Sequence, residues 1–320
     1  AQLAADPRVE SVQRVQLFRT LARNDPYYAM QSSARALDLD GLHQIATGRN
    51  VRIAQVDTGV DLSHPDLVGA LTTARNFVDG SSYAAEVHGT AVAGVMVARA
   101  DNSLGIVGVA PDATLLPLRA CWPDQTDSDT ALCSSFTLAK AIQFAVDQRV
   151  RVLNLSLGGP RDRLLERLID RATDAGMTVV GAVDAVAPGQ SFPSAHPRVI
   201  AIVAADEPRL AFYVELPRGA ILAPGRDVLT TVPQGRWRFF SGASFAAAHA
   251  TGVVALLLEK KPDLNGEAVR ALLAQPDPLG KPTAGLRLDG AAALALLGAR
   301  SDCGAGAARS AQSVGFRSDC

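Results

Sequence analysis

The chain has 320 residues, of which 48% are apolar and 20% are charged, and its formal net charge at pH 7 is −1. This composition is typical of a globular protein and excludes a disordered or fibrous one. The balanced charge, with no basic stripe, argues against nucleic-acid binding, and the longest apolar runs, such as Ala291–Leu297, are too short for a membrane span.

Short apolar runs alternate with helix-like stretches along the chain. The predicted strands are Val51–Val56, Thr114–Leu118, Val150–Leu155, Thr178–Val183 and Val199–Ala204. The predicted helices are Gly89–Ala100, Ser134–Asp147, Arg161–Ala175 and Ala246–Glu259. Because parallel strands need crossover connections, this alternation predicts a doubly wound α/β fold with a mostly parallel sheet flanked by helices. In such sheets, reactive groups gather beyond the carboxyl ends of the strands.

Composition divides the chain into three parts. Residues 1–40 are polar and Arg-rich and are interpreted as an N-terminal arm or a propeptide remnant. Residues 41–300 are predicted to form one main domain, and residues 301–320 a Gly/Ala/Ser-rich tail bounded by cysteines. The chain begins at Ala1 without an apolar signal core, so any signal peptide has been removed or was never in this sequence.

The four cysteines have no C-x-x-C spacing of the kind found in zinc or redox sites. Two local disulfides are predicted, Cys121–Cys133 and Cys303–Cys320, each stabilising the fold by about 3 kcal/mol through the unfolded state. The alternative is four free thiols in a cytosolic protein. Since disulfides persist in oxidising compartments, we expect a secreted or periplasmic protein.

A carboxylate follows the first predicted strand, in Val56-Asp57-Thr58-Gly59. Asp-Thr-Gly also occurs in aspartic proteases, but those need two carboxylates that share a proton. No second Asp-Thr-Gly or Asp-Ser-Gly exists in the chain. An aspartic protease is therefore disfavoured, and Asp57 needs other partners.

A histidine and a serine each open a predicted helix, His88 in HGTAVAG and Ser244 in SGASFAAAH. Taken alone, such a serine is usually only a helix N-cap. With Asp57, however, the chain order is Asp, His, Ser, which is the order of the subtilisin triad. An esterase or lipase would need a Gly-x-Ser-x-Gly elbow, which the residues around Ser244 lack.

The chain resembles the subtilisin (subtilase) family over nearly all of residues 40–275. The matching segments are VDTGVDLSHPDL, HGTAVAG, GVAPDATLLPLR, LNLSLGG and SGASFAAAHATGVVALLL. The resemblance implies a seven-stranded, mostly parallel sheet and a serine endopeptidase that cleaves peptide or protein substrates through an acyl-enzyme, without an organic cofactor. Asp57, His88 and Ser244 would be its triad. The rival reading is a degenerate subtilase that binds peptides without cleaving them, and the oligomeric state is not predicted.

The resemblance also implies how a substrate is held. Ser156, Leu157 and Gly158 match the family's substrate-aligning edge, whose main chain pairs with an extended peptide. Val183 and Ser191 match walls of the first specificity pocket, and Val183 stands where glycine is usual. We therefore expect a narrow pocket that favours small or medium residues before the cut.

Two positions near the expected oxyanion depart from the family pattern. Ala243 replaces a threonine that would precede the nucleophile, and Asp184 stands where an asparagine usually donates its side-chain amide. An oxyanion needs donors, so we expect Asp184 to act in its protonated form and to shift the optimum towards acid. The alternative is that Asp184 caps a loop and points away from the site, so that catalysis relies on the Ser244 N–H alone.

Asp66 and Asn102 match positions where many family members hold a structural calcium. Oxygen ligands suit calcium, so the resemblance implies that chelation lowers the melting temperature. The alternative is that both are ordinary surface-loop residues.

Overall fold

The structure is a computed structural model. It describes residues 23–124, 131–183, 192–205, 216–217, 219–275 and 286–298.

Helices and strands alternate along the main domain, as the apolar pattern predicts. The helices are α1 (Ser32–Ala36), α2 (Leu39–Ile45), α3 (Val87–Val97), α4 (Ser135–Asp147), α5 (Arg163–Asp174), α6 (Ala243–Lys260), α7 (Gly266–Leu273) and α8 (290–298). The strands are β1 (Arg52–Asp57), β2 (Arg75–Asn76), β3 (Thr114–Arg119), β4 (Cys121–Pro123), β5 (Ala131–Cys133), β6 (Val152–Leu155), β7 (Thr178–Ala182), β8 (Ile200–Ala204), β9 (Ile221–Ala223), β10 (Val228–Val232), β11 (Arg236–Phe240), β12 (Ala274–Gln275) and β13 (Leu286–Leu288).

The main sheet has the strand order β12-β13-β9-β8-β7-β6-β1-β3-β2. Every pairing in it is parallel except β12 with β13. The mostly parallel α/β fold is thus confirmed. Seven strands form the body of the sheet, and the two-residue strands β2 and β12 extend it to nine. The family resemblance implied seven strands, whereas the apolar pattern alone predicted five, because strands of only two or three residues leave no periodic pattern in a sequence.

Helices cover both faces of the sheet. Helices α3 and α6 belong to one core cluster, and α4 and α5 to a second. Helix α6 is buried along almost its whole length, since its alanines let it lie close to the strands. It is therefore a rigid support for the residue at its start.

The described part of the predicted N-terminal arm packs against the domain. Ala34, Leu37 and Leu39 are nearly inaccessible and share a core cluster with α6. Tyr27 N–H donates to the carbonyl of Gly105 at 2.8 Å. The segment from residue 23 onward therefore contributes to the core, while a domain boundary at residue 40 stays a prediction.

Two hairpins of the described chain lie outside the main sheet. In β4–β5, Cys121 faces Cys133 across the antiparallel pair, and the two are joined by a disulfide. This is one of the two predicted cross-links, whereas Cys303 and Cys320 lie outside the described residues. The second hairpin, β10–β11, packs on α3 and leads directly into α6.

Candidate active site

Three element ends meet at one edge of the sheet. Strand β1 ends at Asp57, α3 begins one residue before His88, and α6 begins one residue before Ser244. His88 Nδ1 lies 2.7 Å from Asp57 Oδ1. A carboxylate only accepts hydrogen bonds, so Nδ1 carries the proton, and Nε2 of the neutral ring is left as a base.

The backbone around Asp57 and His88 is fixed by a dense set of hydrogen bonds. Thr58 N–H donates to Asp57 Oδ1 at 2.6 Å, and Gly89 N–H donates to the hydroxyl of Thr58 at 2.8 Å. The buried amide of Gln55 donates to the carbonyl of Gly89 at 2.8 Å. Strand β1 thus holds both sides of the turn that presents His88. Sequence analysis missed Gln55 and Thr58, although a glutamine inside the apolar run VRIAQV was a signal.

Two opposing effects act on the pKa of His88. Burial disfavours the imidazolium and lowers its pKa, but the charge of Asp57 and the hydrogen bond to it act in the other direction. The net result is a pKa above the usual value. His88 is therefore positioned to accept a proton and to remain stable as a cation beside Asp57.

The hydroxyl of Ser244 donates to the backbone carbonyl of Ser156 at 3.0 Å, and the Ser156 hydroxyl donates back to the carbonyl of Ser244, also at 3.0 Å. The Ser156 hydroxyl also lies 3.1 Å from Asn154 Oδ1, and the Asn154 amide donates to Thr251 on α6 at 2.9 Å. Strand β6 and helix α6 are therefore locked together directly beneath the site. Asn154 and Thr251 were not predicted from the sequence.

A cleft of about 480 Å³ brings most of the predicted site residues together. It is lined by Asp57, His88, Ser244, Ser156, Leu157 and Gly158, and by the disulfide hairpin. A second cavity, of about 410 Å³, is also lined by His88 and Ser244, together with Arg238, Phe239 and Phe240. His88 and Ser244 therefore stand between two cavities that share them.

The known proteins most informative for this arrangement are bacterial serine proteases. The sequence model of the Subtilase family matches residues 48–293. Subtilisin E of Bacillus subtilis (strain 168) is 32% identical over 283 residues, which cover 84% of this chain and 70% of that protein. This chain belongs to the subtilase family. It is a subtilisin-like serine protease.

Further relatives agree with this assignment. The Thermophilic serine proteinase of Bacillus sp. (strain AK1) is 34% identical over 261 residues, which cover 79% of this chain and 64% of that protein. Among solved structures, fervidolysin from Fervidobacterium pennivorans, described as a keratinolytic enzyme related to subtilisin, has a TM-score of 0.72 at 27% identity. The match covers 85% of this chain and 46% of fervidolysin.

Not all residues that the sequence predicted to form the substrate site line the cleft. Val183 is 3% exposed and packs in a small apolar cluster with Ala201 and Val203, and it is not among the residues that line the cleft. Asp184 and Ser191 lie outside the described residues. Their roles, and the narrowed specificity pocket, stay predictions.

The residues predicted to hold calcium make contacts that do not fit a calcium ion. Asp66 is fully buried, and its Oδ2 accepts from Ile106 N–H and from the indole of Trp237, both at 2.9 Å. Its Oδ1 accepts from the side-chain amide of Asn102 at 3.0 Å, while Asn102 Oδ1 accepts from Leu104 N–H. Calcium requires six to eight oxygen ligands, but here N–H donors occupy both oxygens of the carboxylate.

No other described part of the chain offers an obvious replacement. Within the described ranges, no group of three or more His, Cys, Asp or Glu side chains is arranged to hold a metal ion. Asp25, which is also buried, accepts from the backbone N–H groups of Asp101 and Asn102. Protein N–H donors thus occupy the oxygens of both buried carboxylates, Asp25 and Asp66.

We expect Trp237→Phe to lower the melting temperature of the subtilase by about 3–8 °C, because it removes a hydrogen bond to a buried carboxylate. Trp122→Phe, at the other tryptophan, is the matched control and should change the melting temperature much less. Excess EDTA should leave the wild-type melting temperature unchanged in calorimetry. If EDTA lowers it, and Asp66→Asn removes that effect, calcium binds at Asp66 after all.

Proposed function

We propose that this subtilase is an endopeptidase in which Ser244 is the nucleophile, His88 the general base and Asp57 the carboxylate that orients His88. The observation that carries the proposal is the 2.7 Å contact between His88 Nδ1 and Asp57 Oδ1 in the cleft that also contains Ser244. A serine hydroxyl is a weak nucleophile until an adjacent base removes its proton.

The proposed reaction begins when a bound peptide displaces the Ser244 hydroxyl from its hydrogen bond with the carbonyl of Ser156. Rotation about the Cα–Cβ bond directs the hydroxyl to His88 Nε2, which takes the proton as Oγ attacks the scissile carbonyl carbon. The imidazolium then protonates the leaving amine, and the C–N bond breaks. Water, activated by His88 in the same way, hydrolyses the resulting ester and regenerates Ser244.

Charge develops on the carbonyl oxygen during both attacks. Ser244 is the second residue of α6, so the positive end of the helix dipole favours an anion near it. We propose that the N–H of Ser244 and a protonated Asp184 donate to this oxygen. Asp184 takes the place of an asparagine donor, which is why its protonation state matters for the rate.

The acyl side of the substrate is proposed to lie along Ser156, Leu157 and Gly158, with its main chain paired to theirs. The rest of the cleft wall includes the apolar side chains of Leu138, Leu165 and the hairpin residue Leu132, beside Ser135, Arg161 and Asp162. Leu132 is half-exposed, so a substrate side chain can cover it. We infer a preference for apolar side chains upstream of the cut.

The disulfide holds the hairpin that carries Leu132, and its loss should weaken binding of long substrates. We expect the double variant Cys121→Ser, Cys133→Ser to raise KM about fivefold for peptides that extend far upstream of the cut, because the wall must then be ordered on binding. KM for a short ester substrate should stay unchanged. Equal KM values for wild type and variant on both substrates would show that the hairpin does not contribute to substrate binding.

We also propose that the protein works in a secreted or periplasmic setting, because the Cys121–Cys133 disulfide is of a kind that persists in oxidising compartments. None of the described helices is both long and apolar enough to cross a bilayer. Calcium has no part in the proposed mechanism, since Asp66 and Asn102 are engaged with protein groups.

Labelling with a fluorophosphonate separates the protease from a peptide-binding protein that lacks activity. We expect covalent modification at one site, and peptide mapping should place the label on Ser244. A folded preparation that neither reacts with the probe nor cleaves denatured protein would favour the degenerate, peptide-binding alternative.

A further inference from the structure

A buried ion pair lies next to the Asp57–His88 couple. Arg119 Nη2 donates to Glu86 Oε1 at 2.6 Å, and Arg119 Nε donates to Glu86 Oε2 at 2.9 Å. The two side chains are only 5% and 8% exposed. A bidentate pair of this kind, shielded from water, fixes both position and charge.

Glu86 is tied to the turn that follows Asp57. Its Oε2 accepts from Gly59 N–H at 2.6 Å, and its own N–H donates to the carbonyl of Gly59 at 2.9 Å. Glu86 is also the N-cap residue of α3, two positions before His88. A side chain at Gly59 would collide with the carbonyl of Ala84, so the close approach requires glycine. Glu86 therefore couples the segment after Asp57 to the start of the helix that carries His88.

Arg119 is tied to the other side of Asp57. It lies opposite Asp57 in the register of β1 and β3, and the next residue, Ala120, donates its N–H to the carbonyl of Asp57 at 2.8 Å. The remaining guanidinium nitrogen, Nη1, donates to Asn76 Oδ1 at 3.1 Å and to the Ser81 hydroxyl at 2.9 Å. The cation is therefore held in one place beside the strand end.

Among the described residues, the charged or titratable groups around the Asp57–His88 couple come from several elements. Asp57 comes from β1, Glu86 and the phenol of Tyr83 from the segment before α3, and Arg119 from β3. Arg238 of β11, and Arg161 and Asp162 just before α5, line the two cavities that also contain His88. Burial raises the pKa of Tyr83 to about 12, so it stays neutral. From α6, burial lowers the pKa of His249 to about 4, so this ring is also neutral at the pH of interest.

We propose that Glu86 and Arg119 form a positioning pair that orients the Asp57–His88 couple. Because their opposite charges compensate each other, the pair keeps the pH above which His88 acts as base close to the value that Asp57 alone sets. The proposal rests on the proposed function. If both charges are present, their fields at His88 largely cancel. If one is removed, the other acts on the imidazolium through a poorly screening interior.

The test compares the acid limb of kcat/KM against pH in wild type and three variants. Glu86→Gln leaves the Arg119 guanidinium without a counter-charge. This disfavours the imidazolium of His88, so the midpoint of the acid limb should move to lower pH by about half to one pH unit. Arg119→Gln leaves the Glu86 carboxylate without a counter-charge and should move the midpoint of the acid limb to higher pH. The double variant Glu86→Gln, Arg119→Gln removes both charges and should return the limb close to its wild-type position.

A purely structural pair would behave differently. It would lower stability and kcat in all three variants, with the double variant at least as damaged as the singles and no opposed shifts of the limb. Single variants that shift in the same direction, or not at all, overturn the proposal. If one single variant does not fold, as circular dichroism would reveal, the other and the double variant still make the comparison.

A readout independent of turnover separates this inference from the proposed function. The proton on His88 Nδ1, hydrogen-bonded to Asp57, can be followed by NMR as the ring titrates. The midpoint of this titration should move to lower pH in Glu86→Gln and to higher pH in Arg119→Gln, as the acid limb of kcat/KM does. If wild type does not react with the fluorophosphonate, the proposed function fails, and the NMR titrations alone decide the role of the pair.

Discussion

Ser244→Ala is expected to reduce kcat for a denatured protein substrate by about 10⁶-fold, a loss of the size known from subtilisin, where the triad acts as a unit. The variant has no oxygen to form the acyl-enzyme. The fold should be retained, because the exchange removes one hydroxyl and its hydrogen bond to the carbonyl of Ser156, at a partly exposed position. Measurement requires a preparation free of other proteases and a melting curve beside the kinetics.

Ser241→Ala is the matched control for this experiment. It removes a hydroxyl three residues earlier, one that accepts a hydrogen bond from Asp227 N–H, and should leave most of the activity. Labelling by fluorophosphonate should disappear in Ser244→Ala and persist in Ser241→Ala. Proteolysis that survives in Ser244→Ala would show that another residue is the nucleophile.

Asp184→Asn is expected to increase kcat/KM at neutral pH by up to about 10²–10³-fold, the value of one side-chain donor in the oxyanion hole of subtilisin. In wild type, an ionised Asp184 would repel the oxyanion, so the rate should fall as pH rises through its pKa. His88 imposes the opposite limit, because it must be neutral to act as base and its pKa is raised by Asp57. The wild-type optimum should therefore be narrow and acid-shifted.

Asparagine donates at every pH, so the variant should lose the descending limb and reach a plateau above the pKa of His88. Asp162→Asn is the matched control: it removes a carboxylate from the cleft that Ser244 lines and keeps an N-cap side chain for α5. Its pH profile should keep the wild-type shape. If Asp184→Asn is neither faster at neutral pH nor changed in its profile, Asp184 has no part in the oxyanion hole, and Ser244 N–H acts without it.

Local pattern was enough to place the main elements of the sheet. Apolar runs predicted strands β1, β3, β6, β7 and β8 within one or two residues, because buried parallel strands are continuous apolar stretches. The hairpins, β9, β13 and the edge strands were missed. Most of these strands have only two or three residues or are partly exposed, and the buried strand β10 has two threonines within its apolar run. The order of Asp57, His88 and Ser244 could likewise be read directly, because each stands in a distinctive motif at the end of an element.

What the sequence by itself determined is therefore the fold class, the family resemblance and the identity of the candidate triad. The partner of each buried polar group was decided by the tertiary structure alone. Asp66 resembled a calcium ligand until packing brought Trp237 to it, 171 positions away along the chain. Glu86 and Arg119, 33 positions apart, form their ion pair only because β3 and the start of α3 meet beside Asp57. The physical reason is that a periodic pattern records whether a side chain is buried, whereas the hydrogen bonds that a buried polar group must make depend on which distant segments pack against it.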